Sequence, residues 1–109
     1  MKDNLFFLNH ILNAITNIEN FIKNVKNFDE FNSNNMVFSA VAHEMEVIGE
    51  ASNNITNDFR LKNPNIPWKK MVSMRNILIH EYFGVDRKVV WDTIREDLPV
   101  LKKLILHLL

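Results

Sequence analysis

The apolar residues of this chain recur every three to four positions, which is the spacing of a helix face turned toward a core. Residues that favour helix starts divide this pattern into four long segments, which are predicted to begin at Asp3 or Asn4, at Ser33 or Asn34, at Pro67 and at Asp86. The first two helices are predicted to end near Lys26 and Asn57, and Pro99 to kink or restart the last, with Asp97 as its new cap. The pattern predicts an all-α, up-and-down four-helix bundle with a short extra C-terminal helix, in one domain over residues 1–109.

Each predicted helix has one apolar face that would pack in the core. In the first helix this face contains Leu5, Leu8, Leu12, Ile15, Ile18, Ile22 and Val25. In the second it contains Val37, Ala40, Val41, Met45, Ile48 and Ala51, and in the fourth Val89, Val90, Ile94 and Leu98. Phe28 and Phe31 are expected to hold a short helical turn between the first two helices. The apolar face from Leu101 to Leu109 is broad for a terminal segment, so we expect a partner to cover it.

The third predicted helix has a narrow polar strip opposite a buried stripe. Its buried stripe is Met71, Met74 and Leu78, at i, i+3 and i+7. We expect the helix to end within residues 80–83, because Gly84 offers a left-handed C-terminal residue.

The polar strip contains Ser73, Asn76 and His80, which stack within an arc of about 60° at about 100° per residue. Arg75 lies about 140° from His80 by the same count, so the two do not share a face of a straight helix. If they act together, a loosened turn before Gly84, the length of the Arg75 side chain or a second copy of the helix must bring them together.

The composition limits the classes of partner. The chain has 13 basic and 13 acidic residues, so RNA contact would have to come from local clusters such as Lys69-Lys70 with Arg75, or Arg87-Lys88. With no cysteine and no apolar run near the length of a membrane span, we expect a cytoplasmic protein without disulfides. No signal peptide is recognised after Met1.

The central stretch resembles a known pattern. It reads Arg75, four residues, His80, one residue, Tyr82, with a polar Asn76 directly after the arginine. Other matching landmarks follow in the expected order: Ile48-Gly49-Glu50-Ala51, Ile66-Pro67-Trp68, Tyr82-Phe83-Gly84-Val85-Asp86, Val90-Trp91 and Asp97-Leu98-Pro99. The chain is similar to HEPN domains over nearly its whole length, and among them to the HepT-like toxins of toxin–antitoxin pairs.

The resemblance implies a HEPN-like bundle that forms a homodimer through the helix carrying Arg75 and His80. It implies an endoribonuclease with a composite dimer site, which gives 2′,3′-cyclic phosphate products. It also implies that Tyr82 accepts AMP from a partner nucleotidyltransferase antitoxin, which silences the nuclease.

The residue types suit that chemistry. Metal-independent RNA cleavage needs a base for the 2′-hydroxyl, an acid for the leaving 5′-oxygen and a cation at the phosphate. His80 can serve in either proton role, Arg75 can bind phosphate, and Asn76 can orient His80 or a phosphate. A single histidine cannot easily be both base and acid, whereas a two-fold dimer with this helix at its seam would supply two of each residue. Glu50 and Ser73 are expected in supporting positions.

Other interpretations stay open from the residues alone. Arg75 could simply neutralise Glu50, His80 could be a helix C-terminal histidine favoured by the dipole, and Tyr82 could plug the end of the bundle. His43, Glu46 and Glu50 share a face, but the second Glu-x-x-His of a di-metal bundle is missing, so we expect neither metal nor cofactor. The alternative function is a non-enzymatic module that holds a nucleotide or docks a nucleotidyltransferase.

Overall fold

Helices build the fold in the computed structural model, which describes residues 3–109; the first two residues of the predicted domain lie outside the described residues. In chain order the helices are α1 (Asn4–Phe21), α2 (Phe28–Ser33), α3 (Asn35–Asn54), α4 (Asn57–Lys62), α5 (Trp68–His80), α6 (Arg87–Asp92) and α7 (Leu98–Leu108). Within the described part of the chain no strand is found, so the all-α prediction is confirmed. No helix of this part is long and apolar enough to cross a membrane.

The long helix α3 is the centre of the bundle and packs against both α1 and α5. The helix α7 covers another side of α1, and α6 packs on α2. One apolar core runs through all these elements, and its fully enclosed side chains include Ile11, Phe31, Val41, Ile48 and Ile105. The predicted stripe of Met71, Met74 and Leu78 is buried, which fixes the orientation of α5.

A glycine permits the close packing of α3 on α5. A Cβ atom built on Gly49 would lie 2.2 Å from the Arg75 Cβ and 2.7 Å from the Met71 carbonyl oxygen. The two helix backbones therefore approach so closely that no side chain fits at this position. This close approach places the stem of Arg75 directly against α3.

Side-chain caps begin several helices where the sequence predicts them. The Asp3 side chain accepts a hydrogen bond from the Phe6 N–H, Asn34 caps α3 through the Val37 N–H, and Asp86 accepts from the Lys88 N–H. Asn34 and not Ser33 is thus the second cap.

The predicted ends of the first two helices are too late. Helix α1 ends at Phe21, and α3 ends at Asn54, where Ile55 adopts an extended conformation with φ −66° and ψ 137°. The cause of the second break is local, because the Thr56 side chain accepts from the Phe59 N–H and begins the unpredicted helix α4. Pro67 precedes α5 as its cap instead of occupying the first helical position.

The C-terminal stretch does not restart at Pro99. Residues 87–108 form one helical run, in which a π-helical segment, Thr93–Asp97, connects α6 to α7. The wider π-helical turn accommodates Pro99, which has no N–H group to donate. Asp97 makes no capping hydrogen bond and instead forms an ion pair with Lys70, so its predicted role as a side-chain cap is wrong.

Two of the predicted core residues are on the surface. Leu5 is 54% exposed and Val89 is 49% exposed, whereas Ile11 and Ala14 take the core positions of α1. The terminal face is partly uncovered, with Leu106 and Leu109 both 52% exposed. That a partner covers this face stays a prediction.

Candidate functional site

The polar strip of α5 faces solvent as a continuous line of side chains. Ser73, Asn76 and His80 are all exposed, opposite the buried stripe of the same helix. His80 is the last residue of α5, at the C-terminal end of the helix. Directly beyond it, the Glu81 N–H still donates to the Ile77 carbonyl oxygen at 2.8 Å.

The end of α5 needs no left-handed residue. After Glu81, which has φ −134° and ψ 36°, the chain makes a 3-10 turn over Tyr82–Gly84. Gly84 has no positive φ, so the predicted left-handed terminus is wrong. The Gly84 N–H instead donates to the Glu81 carbonyl oxygen at 3.0 Å, which closes the turn. This turn places Tyr82 beside the bundle end and leaves Phe83 in solvent.

Arg75 is held from two sides. Its Nη2 atom lies 2.9 Å from the Glu50 Oε2 atom on α3, and its Nη1 atom donates to the Asn76 Oδ1 atom at 2.8 Å. Its Nε atom is buried and makes no hydrogen bond within residues 3–109. The side chain of Arg75 is 28% exposed and that of Glu50 is 56% exposed, so this ion pair is at the edge of solvent.

The hydrogen bond to Asn76 brings the Arg75 guanidinium part of the way around α5 toward the face of His80. Helix α5 is regular as far as His80, so no loosened turn within it rotates the two residues toward each other. The Arg75 guanidinium instead bends toward Asn76, which shares the polar strip with His80. The length of the arginine side chain thus brings positive charge from the α3 side of the helix to the edge of the strip.

A groove of about 410 Å³ lies beside Arg75, between α1, α3 and α5. Its walls include Phe7, Val47 and Ile79, and His10 and His43 also line it. Arg75 lines this groove, whereas His80 is not among its lining residues. Among residues 3–109, no three histidine or acidic side chains are placed to hold a metal ion.

Tyr82 is half-buried and its hydroxyl group has a partner. The Tyr82 Oη atom lies 3.0 Å from the Ser39 Oγ atom on α3, and the ring packs against Phe38 with 5.6 Å between centroids. The guanidinium group of Arg87 lies over the Phe38 ring, with its carbon atom 4.1 Å from the ring centroid. Sequence reasoning missed the contact of Tyr82 with Ser39, because a contact across 43 residues has no signature in the local pattern.

Exposed apolar side chains flank the strip near His80. Ile77 is 40% exposed, Ile79 is 47% exposed and Phe83 is fully exposed. By helical geometry, Ile77 and Ile79 lie about 60° and 100° to either side of His80. This end of α5 is therefore a polar line between two apolar edges.

Comparison with known proteins identifies the family. The family model described as "Ribonuclease HepT-like" matches residues 11–108. A Methanocaldococcus jannaschii protein named "Putative RNase MJ1380" is 47% identical over 102 residues, which cover 94% of this chain and 93% of that protein. A Thermococcus cleftensis protein named "Probable ribonuclease HepT" is 47% identical over 96 residues, which cover 88% of this chain and 86% of that protein. No solved structure matches the chain.

The fold and the exposed strip on α5 define the class of the protein as a HEPN-like helical bundle. Within that class, the chain belongs to the Ribonuclease HepT-like family.

Proposed function

We propose that this protein is a metal-independent endoribonuclease, the toxin of a toxin–antitoxin pair, and that it acts as a two-fold dimer with Arg75 and His80 of both copies in one cleft. The observation that supports it most is the bending of the Arg75 guanidinium onto Asn76, next to an exposed His80 on the same helix. A fixed cation at the edge of a solvent-facing strip and an exposed imidazole on that strip are the groups that phosphodiester cleavage requires.

The dimer is needed because one subunit offers one histidine on this strip. Pairing two copies of α5 about a two-fold axis would place the polar strips opposite each other. The exposed Ile77, Ile79 and Phe83 would supply apolar contacts at the seam, which are the kind of side chains found in the cores of interfaces. The resulting cleft holds two imidazoles, two guanidiniums and two Asn76 amides.

The two imidazoles then divide the proton transfers. His80 of one copy takes the proton from the 2′-hydroxyl, and the 2′-oxygen forms a bond to phosphorus. The bond from phosphorus to the 5′-oxygen breaks, and protonated His80 of the second copy donates its proton to that leaving oxygen. Arg75 stabilises the negative charge on the phosphoryl oxygens, and the products are a 2′,3′-cyclic phosphate and a 5′-hydroxyl end.

Mixing subunits tests the composite site. We expect both His80→Ala and Arg75→Ala to abolish cleavage while sedimentation still shows a dimer. When wild-type and His80→Ala subunits are exchanged in equal amounts, activity should fall to roughly a quarter, because only wild-type pairs carry both imidazoles. Activity near one half would mean that each subunit cleaves alone, and this would reject the shared cleft.

Modification of Tyr82 is the proposed control. In the transfer of AMP from ATP, the Tyr82 oxygen bonds to the α-phosphorus and gives its proton to solvent, while the bond from that phosphorus to pyrophosphate breaks. A nucleotidyltransferase antitoxin is the proposed catalyst. The added negative charge and bulk next to His80 would oppose the binding of RNA phosphate. Intact mass after incubation with the antitoxin and ATP should rise by whole AMP units in the wild type. The same increments in Tyr82→Phe would place the modification elsewhere.

One observation favours a second candidate, a non-enzymatic nucleotide-binding module. The groove of about 410 Å³ beside Arg75 is of the size that small ligands occupy, and its apolar walls could hold a base while Arg75 contacts a phosphate. Nucleotide binding that survives His80→Ala, in a protein that cleaves no RNA, would support this module over the nuclease.

A further inference from the structure

A second groove, of about 540 Å³, lies between α4 and the start of α5. The charged residues that line it are Arg60, Lys69 and Lys70, and all are basic. The groove beside Arg75, by contrast, is also lined by Glu46 and Glu50. An anionic ligand is therefore favoured more strongly at the α4–α5 groove than at the groove beside Arg75.

Two of these cations keep their charge available. Lys70 is paired with Asp97. The Arg60 Nη2 atom donates to the neutral Asn57 side chain at 2.6 Å, and Lys69 is exposed with no carboxylate within salt-bridge distance in the described part of the chain. The groove also adjoins the N-terminal turn of the 13-residue helix α5, where the dipole adds a partial positive charge.

The same helix connects this groove to His80. Lys69 and His80 are eleven positions apart, which places them about 20° apart around the helix and about 16 Å apart along it. Ser73 and Asn76 fall between them on the same face, and all four side chains are exposed. The polar strip of α5 thus continues from the proposed cleavage site to the α4–α5 groove without an acidic residue.

We propose that the α4–α5 groove binds backbone phosphates of single-stranded RNA, through Arg60 and Lys69, for a strand that runs along the polar strip of α5 from the cleavage site. This inference rests on the proposed nuclease function, since it assigns the path of that substrate. The distance along α5 corresponds to several nucleotides, so a substrate of two nucleotides bound at His80 does not reach Arg60. Affinity for RNA should therefore depend on strand length.

The test compares two substrates in two double variants. In Arg60→Ala/Lys69→Ala, the KM for a single strand of about ten nucleotides should rise roughly tenfold near physiological salt, with kcat unchanged. Cleavage of a dinucleotide should keep its wild-type kcat/KM. The control Lys23→Ala/Lys103→Ala removes the same charge from exposed lysines that line neither groove, and should change neither substrate.

A binding measurement separates this inference from the nuclease proposal. Fluorescence anisotropy with a 2′-O-methylated strand, which lacks the attacking hydroxyl, should show a slope of log affinity against log salt that is shallower by about 1.4 in the Arg60→Ala/Lys69→Ala variant. If the wild type cleaves neither substrate, the nuclease proposal fails. The salt slope of RNA binding alone then decides whether RNA binds along α5 to the α4–α5 groove. Three results would overturn the proposed RNA path along α5. They are an unchanged salt slope, an equal rise of KM in the control variant, and an equal loss of kcat/KM for the longer strand and the dinucleotide. If the Arg60→Ala/Lys69→Ala variant lost binding of a protein partner while its salt slope for RNA stayed unchanged, the RNA path would also be overturned, and the groove would be assigned to that partner.

Discussion

Replacing Gly49 by alanine tests whether α3 and α5 are as close as the structure shows. The added Cβ would overlap the Arg75 Cβ at 2.2 Å and the Met71 carbonyl oxygen at 2.7 Å, and neither atom is at the flexible end of a side chain. The helices must therefore separate, which costs about 1–3 kcal/mol or more, against a helix-propensity gain of up to about 1 kcal/mol. We expect a net loss of about 1–2 kcal/mol and a decrease in Tm of about 5–15 °C.

The measurement is thermal and urea denaturation followed by circular dichroism, at matched protein concentrations because a dimer would couple stability to concentration. Gly84→Ala is the matched control, since a Cβ at Gly84 meets no atom within 4 Å and the residue has no positive φ. It should be neutral or slightly stabilising, by up to about 1 kcal/mol. If Gly49→Ala were as stable as Gly84→Ala, the close contact of α3 with α5 would be refuted.

Three further changes probe contacts around the site. Glu50→Gln removes the ion pair with Arg75 at the edge of solvent and should lower the free energy of unfolding by at most about 1 kcal/mol in urea titrations, an effect that added salt should reduce in the wild type. Trp68→Phe removes the hydrogen bond from the Trp68 Nε1 atom to the Asn63 carbonyl oxygen at 3.1 Å, and should cost about 1 kcal/mol by the same assay. Phe31→Ala empties a fully buried position and should cost about 3–5 kcal/mol; a loss below about 1 kcal/mol would contradict the position of α2 against the core.

Local features of the sequence predicted the architecture well. The caps at Asn34 and Asp86 depend on a side chain and an N–H group two or three residues away, so the sequence alone contains both partners. The buried stripe of α5 was predicted for a similar reason, since its period defines one face. The exposed strip with Asn76 and His80 followed directly from that face.

The predictions were wrong or incomplete where the same segment could adopt more than one local arrangement, or where a contact involves residues far apart in the sequence. The apolar pattern of α1 has more than one phase, and the core selects Ile11 and Ala14 over Leu5. The break before Thr56 depends on a capping bond that competes with continuation of the helix. The partner of the Tyr82 hydroxyl is 43 residues away, and no periodicity could identify it.

The neutral net charge of the chain is compatible with RNA binding because carboxylates are distributed unevenly among the cations. The ion pairs of the described residues neutralise Lys70, Arg75, Lys88 and Lys102. Arg60 and Lys69 have no such partner there, and both line one groove at the start of α5. Phosphate attraction depends on this local field and on its distance from the reacting groups, while the total charge sets mainly solubility and non-specific association. A neutral protein with two unpaired cations in one groove at the start of α5 would bind RNA weakly in general and along one path in particular.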